Sequence, residues 1–479
     1  MRITRREFLR RSAIGGAALS FGVLGVRSAS SGVDPDGLRK LAKGLKGRLI
    51  VPGDHEYETA RRVWNFRFDR HPAAIVRCAS ADDVARALEF GRTRAVPIAV
   101  RSGGHSFAGF STCDDGIVID LSQMTKVAID PKRRIAHVQP GITGGGLDQV
   151  LQRQGFVVPV GQCHAVGVGG LALGGGEGIL AGTLGATCDQ ILAADVVTAD
   201  GRIVRASPDE YADLLWGICG GGGNLGIVTS FEFRVHPLRE CTFASLVYAP
   251  EQTRDAFRYL TDFVRTASDE VYAQIIMVRA NAEPTALLFA CHSGDLKDGE
   301  RALAPLRSLG KPRSITIKRA SYLETQRLAA GPHVWGRPCY QRAGILPDLP
   351  EEYAARIAAD FPPNDASWAG FFLLHGAISK RPPDANAYPI RAAGYDIWLH
   401  GEWEHASPGT EAVVWVDRMW EATRGFAKDV VYVNSLDDEP EERKRAAYGG
   451  NYARLAQLKR EYDPDNVLRL NVNVPPATT

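Results

Sequence analysis

The sequence predicts an α+β fold in two parts, on three observations. A glycine-rich stretch, Arg101 to Ser111, reads R-S-G-G-H-S-F-A-G-F-S and follows a helix-then-strand pattern. A second, Gly161 to Gly178, reads G-Q-C-H-A-V-G-V-G-G-L-A-L-G-G-G-E-G. Beyond Pro237 the glycine clusters thin out and strand-like runs repeat, with helical stretches between them. At 479 residues the chain exceeds one ordinary core, so two domains are the default.

The first part, residues 33–238, is expected to hold a cofactor. Ser80-Ala-Asp-Asp-Val-Ala-Arg-Ala-Leu-Glu-Phe reads as a helix. Ser80 is a good N-cap, Asp82 and Asp83 suit the positive first turn, and Val84, Ala87 and Leu88 share one face. Gly91 is expected to close it. Pro97–Arg101 and Ile117–Leu121 read as strands flanking the first loop, and Ile135–Gln139 as another. Thr143–Gln154 fits a helix with Leu147, Val150 and Leu151 inward. Ile191–Thr198 and Arg202–Ala206 form a hairpin around Asp200-Gly201. Gly220–Gly226 then leads into a strand, Ile227–Val235.

Residues 239–440 read as an antiparallel sheet backed by helices, assigned as the substrate domain. The expected strands are Cys241–Tyr248, Tyr272–Arg279, Ala286–Cys291, Trp368–His375, Asp396–Trp403 and Val430–Asn434. Glu251–Ala267 and Ala412–Arg424 are the intervening helices. Glu441–Tyr462 reads as a last helix with Tyr452, Leu455, Leu458 and Tyr462 along one stripe, ended by Asp463-Pro464.

Charge and targeting narrow the function. Formal net charge is +2 and no block of like charge stands out, so no nucleic-acid groove is expected. Thr4-Arg5-Arg6-Glu7-Phe8-Leu9-Arg10 is a twin-arginine export signal, followed by a mildly apolar run, Ala13–Val26. That run is too short and glycine-broken for a stable membrane span. Cleavage is expected after Ser30, leaving residues 1–30 as signal peptide and an exported, periplasmic or secreted mature chain. This route carries proteins already folded, which suits a chain loaded with cofactor. Of eight cysteines, most are expected to be buried as small apolar residues rather than bridged.

The two loops carry the chemistry. Glycine lets bare backbone N–H groups approach a polyanion and permits positive φ where the chain folds back. Each loop also holds one nucleophilic side chain, His105 and Cys163. Together they point to a pyrophosphate-bearing cofactor with a reactive ring. Gly167–Ala172 also fits a G-x-G-x-x-A dinucleotide fingerprint, with Asp195 further on. That reading needs a βαβ unit. Asp195 falls in a hairpin instead, and Gly174-Gly-Gly interrupts the helix. His400-Gly-Glu402 matches half of a zinc-deaminase signature, but no P-C-x-x-C follows, so no metal is expected.

R-S-G-G-H and G-x-C-x-x-V-G-x-G-G-x-x-x-G-G-G-x-G resemble the berberine-bridge-enzyme-like FAD-linked oxidases of the vanillyl-alcohol-oxidase superfamily, in their bacterial oligosaccharide-oxidase-like branch. The resemblance runs from about Val63 to Pro476. It implies a PCMH-type FAD-binding domain, with FAD bonded covalently through His105 and Cys163. It places Arg101, Ser102, Gly103, Gly104, Ser106, Val166, Gly167, Gly170, Gly175, Gly176, Gly178, Gly226 and Ile227 around the cofactor. Residues 441–476 resemble the family's terminal segment, which returns to the FAD domain and aims Asn471 and Asn473 at the cofactor. Val166, rather than a leucine, goes with oxidases there. Leu171 departs from the plant members, which carry a histidine.

The resemblance further implies that Tyr432 is the base that takes a hydroxyl proton. Tyr432 and Asn434 are expected to alternate onto one face of a late strand. A free tyrosine has a pKa of about 10, so the role requires a lowered value. Trp398, His400 and Glu402 share a strand face and are candidates, with His375, for lining the substrate pocket. The expected activity is oxidation of a hydroxyl on a carbohydrate or hydroxylated small molecule, with hydride transfer to FAD and reduction of oxygen to hydrogen peroxide. The alternatives are a flavin dehydrogenase with another electron acceptor, or a non-catalytic flavin-containing sugar-binding protein.

Overall fold

Parallel pairing inside an otherwise antiparallel chain sets the position of the first loop. The computed structural model describes residues 33–330, 334–428 and 430–478. The expected export signal and its cleavage site lie outside the described residues. Strands β1 (Arg48–Ile50), β2 (Ala74–Arg77), β3 (Ile98–Arg101) and β4 (Ile117–Asp120) form a sheet in the order β1-β2-β4-β3. β2 and β3 both run parallel to β4. The helix between β2 and β3, Ala81–Thr93, is capped by the Ser80 side chain, which accepts from the Asp83 N–H. It runs through Gly91 rather than ending there. Gly91 lies against Ile98 and Ile117, where a side chain would collide. The glycine therefore serves helix–sheet packing, not termination.

A second sheet uses β5 (Val127–Asp130), β6 (Ile135–Val138) and, after the short β7 (Phe156–Val157), β8 (Ile191–Val197), β9 (Ile203–Ala206) and β10 (Ile227–Arg234). Its order is β5-β6-β10-β8-β9, and every pair is antiparallel. β8 and β9 form the expected hairpin, with Val197 opposite Ile203 and Gly201 at positive φ. β11 (His236–Pro237) pairs with β7.

The third sheet has seven antiparallel strands: β12 (Glu240–Tyr248), β13 (Val271–Ala280), β14 (Glu283–His292), β15 (Ser314–Ser321), β16 (Cys339–Leu346), β17 (Trp368–Leu374) and β18 (Gly394–Glu402). Their order is β15-β12-β14-β13-β17-β18-β16. One face packs on the helices Thr253–Val264, Glu351–Ala358 and Thr410–Thr423, joining Ile275, Leu288, Phe371 and Ile397 to Phe257, Tyr353 and Trp415. Because side chains alternate along a strand, the intervening residues face the other way, toward the cavity described below. β15 and β16 are additional to the expected strands. Both are edge strands: β15 is largely exposed, and β16 ends in a continuous buried run, residues 343–346.

Two C-terminal expectations need correction. Val430–Asn434 is not a strand; it enters a 3₁₀ turn, Val433–Ser435. It is tied to the edge strand β16 by side chains instead of a ladder: Gln341 Nε2 donates to the Ser435 carbonyl at 2.9 Å, and the Gln341 N–H to Asp437 at 3.0 Å. The helix expected over 441–462 is two helices, Glu441–Ala446 and Tyr452–Tyr462. Gly449, at positive φ, and Gly450 break it.

Candidate active site

A cavity of about 470 Å³ lies between the glycine loops and the free face of the seven-stranded sheet. Its first wall is the Arg101–Ser111 loop, and Ser102, Gly103, Gly104, His105 and Ser106 all line it. Two contacts pin this loop. Ser102 Oγ donates to the Pro140 carbonyl, and the Trp64 N–H donates to the Gly104 carbonyl at 3.0 Å. The His105 ring stacks on Trp64, with centroids 5.2 Å apart and planes 16° apart. Arg101 does not reach the cavity. It is buried at the loop's base, where its guanidinium pairs with Asp120 at 2.8 Å. Its part is to brace the loop.

The second loop docks edge-on against the first. Glycine is required at Gly103 and Gly167, since a side chain at either would strike the other's backbone. Backbone bonds fix Cys163 and its neighbours: Gly145 N–H to the His164 carbonyl at 3.0 Å, and Gly144 N–H to the Val166 carbonyl at 2.9 Å. Cys163, Val166, Gly167, Gly170 and Gly178 line the cavity. Burial pushes the Cys163 thiol up from its ordinary value. The other seven cysteines are buried, and all eight are free thiols. Gly175 and Gly176 lie behind the wall at positive φ, and a side chain at Gly175 would meet the Tyr388 and Tyr432 rings.

The third loop and the chain terminus close the cofactor end. Gly226, Ile227 and Asn471 line the cavity. Asn224, absent from the expected set, joins these segments. Its Nδ2 donates to the Val472 carbonyl at 3.1 Å, and its Oδ1 accepts from the Val474 N–H at 2.9 Å. Asn471 Oδ1 and Asn473 Oδ1 are buried acceptors with no donor among the described residues; Asn471 lines the cavity, whereas Asn473 does not. A side chain at Gly170 would project into open space. Spare acceptors and a side-chain-free cradle fit FAD, whose ribityl hydroxyls and ring N–H supply donors.

At the reacting end stand Tyr432, Asn434, Glu177 and Asp396, all lining the cavity. The Tyr432 hydroxyl accepts from the Gly176 N–H at 2.9 Å and from Asn434 Nδ2 at 2.8 Å. Tyr432 and Asn434 thus meet as the sequence requires, but through a turn and a hydrogen bond. The lowered pKa does not follow. Burial, then the charge of Glu177, pushes Tyr432 well above the ordinary phenol value. Glu177 and Asp396 were not singled out by sequence reasoning. The one available signal was an acid set alone among glycines in G-G-G-E-G.

Those two carboxyls interact directly. Burial pushes both up, and the charge of Glu177 raises Asp396 further. Tyr388 OH donates to Glu177, and Trp398 Nε1 donates to Asp396 Oδ2. Asp396 Oδ1 has no donor. Two buried carboxyls this close cannot both ionise freely, so they hold a proton between them around neutral pH.

Of the substrate candidates, Trp398 and Asn434 line the cavity; His400 and His375 do not. His400 is buried behind the wall, stacked on Trp368 at 5.0 Å, with Nε2 3.4 Å from Glu402 and Nδ1 3.2 Å from Gln341. His375 Nε2 bonds the Val271 carbonyl. Both rings are spent on structure.

Residues 72–207 match the FAD binding domain family, and residues 431–475 match the family described as berberine and berberine like. The FAD-linked oxidoreductase YvdP of Bacillus subtilis is 31% identical over 458 residues, covering 90% of this chain and 99% of its own. This chain belongs to the berberine-bridge-like FAD-linked oxidoreductases. (R)-6-hydroxynicotine oxidase of Paenarthrobacter nicotinovorans is 31% identical over 457 residues, covering 90% and 97%. Among solved structures, 6-hydroxy-D-nicotine oxidase from Arthrobacter nicotinovorans superposes with a TM-score of 0.81 at 29% identity, covering 90% of this chain and 98% of that one. Xylooligosaccharide oxidase from Myceliophthora thermophila shares the fold, with a TM-score of 0.83 at 24% identity over 92% and 100%. The FAD-linked oxidoreductase fold thus accounts for the loops, the third-loop glycines and the returning terminus.

Proposed function

We propose that the protein is an exported FAD oxidase, bicovalently flavinylated through His105 and Cys163, that oxidises a hydroxyl-bearing small molecule and turns oxygen into hydrogen peroxide. The observation that carries this reading is that His105, Cys163, Tyr432 and Asp396 all face one cavity. When bound, FAD supplies the two-electron acceptor and the site of oxygen reduction. His105 and Cys163 would hold it from the two glycine loops, and Asn471 would offer it an acceptor. Val166 keeps that wall small. Export rests on the Thr4–Arg10 signal.

The chain's own residues handle the proton. Asp396 Oδ1, free of donors, is the acceptor for the substrate hydroxyl proton, and proton uptake relieves the repulsion between its carboxylate and Glu177. Tyr432 takes a different part from the one the sequence suggested. Its oxygen already accepts two hydrogen bonds, so its own O–H is left to hold the substrate oxygen. The Trp398 indole fixes the Asp396 carboxyl in place.

Acid-denatured protein passed through a filter tests the attachment: colour stays with the polypeptide if the bonds exist, and pigment in the filtrate rejects them. His105→Ala and Cys163→Ala each leave one bond, and the double variant none. Peroxide release in air, against anaerobic reduction followed by slow reoxidation, separates oxidase from dehydrogenase. Fractionation of cells carrying the Arg5→Lys/Arg6→Lys variant tests export; unchanged delivery rejects it.

A further inference from the structure

The face of the seven-stranded sheet that overlooks the cavity is a grid fixed by register. One row runs Ser245–Phe289–Gln274–Phe372–Asp396 across β12, β14, β13, β17 and β18. The next runs Leu287–Ile276–Gly370–Trp398. Ile276, Val278, Leu287, Phe372 and Trp398 are only half-buried, although they lie on interior strands, because they open onto the cavity.

Three polar side chains at this wall are engaged with one another. Gln162 Nε2 donates to Tyr272 OH at 2.6 Å, Tyr272 OH donates to Gln274 Oε1 at 2.9 Å, and Gln274 Nε2 donates to the Ala329 carbonyl at 3.2 Å. That chain uses its members on one another. Among the described residues, two buried polar atoms of this face have no partner, Asp396 Oδ1 and Trp368 Nε1, both on the β17–β18 side of the wall, with Asp396 next to the Tyr432 hydroxyl end of the cavity. The rim is apolar as well. Leu328, which lines the cavity, is 48% exposed, and Trp335, 53% exposed, stands edge-on to His105 at 6.3 Å.

A polyhydroxylated sugar placed here would give up hydrogen bonds to water along its length and recover only a few of them, at the β17–β18 side. A flat apolar ring system would lose nothing and gain burial against Phe289, Phe372 and Trp398. We infer that the substrate is a largely apolar, ring-bearing alcohol that carries its reacting hydroxyl at one end, and that saccharides are excluded. This rests on the oxidase reading above and narrows it. Ile276 and Leu287 are then specificity-determining residues, and neither touches the proton-handling groups.

The test is titration of the yellow holoenzyme, without oxygen, with 2-naphthylmethanol and cinnamyl alcohol against xylobiose, cellobiose and glucose, read by perturbation of the visible spectrum. The aryl alcohols are expected to bind at least tenfold more tightly than any of the sugars. Ile276→Asn and Leu287→Gln are expected to erase that preference at unchanged flavin-to-protein ratio and melting temperature. A saccharide that binds as tightly as the aryl alcohols, or variants that keep the wild-type ranking, overturns the inference. The two readings fail separately. Aryl alcohols that bind without bleaching the flavin sink the oxidase reading and leave the pocket inference standing. A sugar that bleaches it sinks the inference alone.

Discussion

Asn434 Nδ2 donates to the Tyr432 hydroxyl at 2.8 Å, and the same amide donates to the Leu171 carbonyl at 3.1 Å. The phenol is thereby tethered to the helix Val168–Leu173 of the second loop. Tyr432→Phe removes the O–H that holds the substrate oxygen. Its kcat/KM is expected to fall roughly 10- to 100-fold, with flavin content intact. Asn434→Leu keeps the phenol but frees it, and should raise KM more than it lowers kcat.

Asp396→Asn removes the proton acceptor and is expected to cost about 10²- to 10⁴-fold in turnover. Asp396 must be ionised to act as the base. Burial, then the charge of Glu177, raises its carboxyl well above the ordinary carboxylate range, so kcat/KM should rise with pH above that range. In Glu177→Gln, Asp396 loses the neighbouring charge that raises it, and the rise should move to lower pH. An unmoved profile would show that another group titrates.

Asp148 offers a pH test remote from the cavity. It is 2% exposed, its Oδ2 accepts from Gln326 Nε2 at 3.2 Å, and its Oδ1 has no donor. Burial raises its carboxyl from 3.8 to about 7. The folded state therefore binds more protons than the unfolded state between those values. Its contribution is complete below the unfolded value and fades as pH rises toward 7, on the order of 4 kcal/mol. Asp148→Asn should flatten the dependence of the urea midpoint on pH over that window.

Lys459 is wholly buried, and its ammonium donates to Asp463 at 2.6 Å and to the carbonyls of Asn224 and Leu468 at 2.9 Å each. It ties the third loop to the terminal segment. Lys459→Met strands the Asp463 charge and is expected to destabilise by about 3–5 kcal/mol. Thermal unfolding should show this together with reduced FAD occupancy.

Much of the fold was legible because local rules acted alone. Ser80 caps its helix, Asp200-Gly201 turns its hairpin, and the glycines at 103 and 167 mark a close approach of two loops. The misread elements are those where a distant contact outranked the local pattern. Gly91 looked like a stop and is a packing surface; V-V-Y-V-N has strand periodicity but runs into a turn that Gln341, from another strand, holds at the Ser435 carbonyl.

The amino-acid order by itself determined the two nucleophile-bearing loops, the α+β division and the family, because glycine spacing and strand periodicity are properties of short stretches. Only the tertiary structure decided which acids meet. Glu177 and Asp396 lie far apart in the chain, and their shared proton exists only once the second loop is packed against β18 away from water. The same folding turned the buried His400 and the half-buried His375 into struts and left the sheet's cavity face largely apolar, since register, not composition, settles which side of a strand sees the cavity.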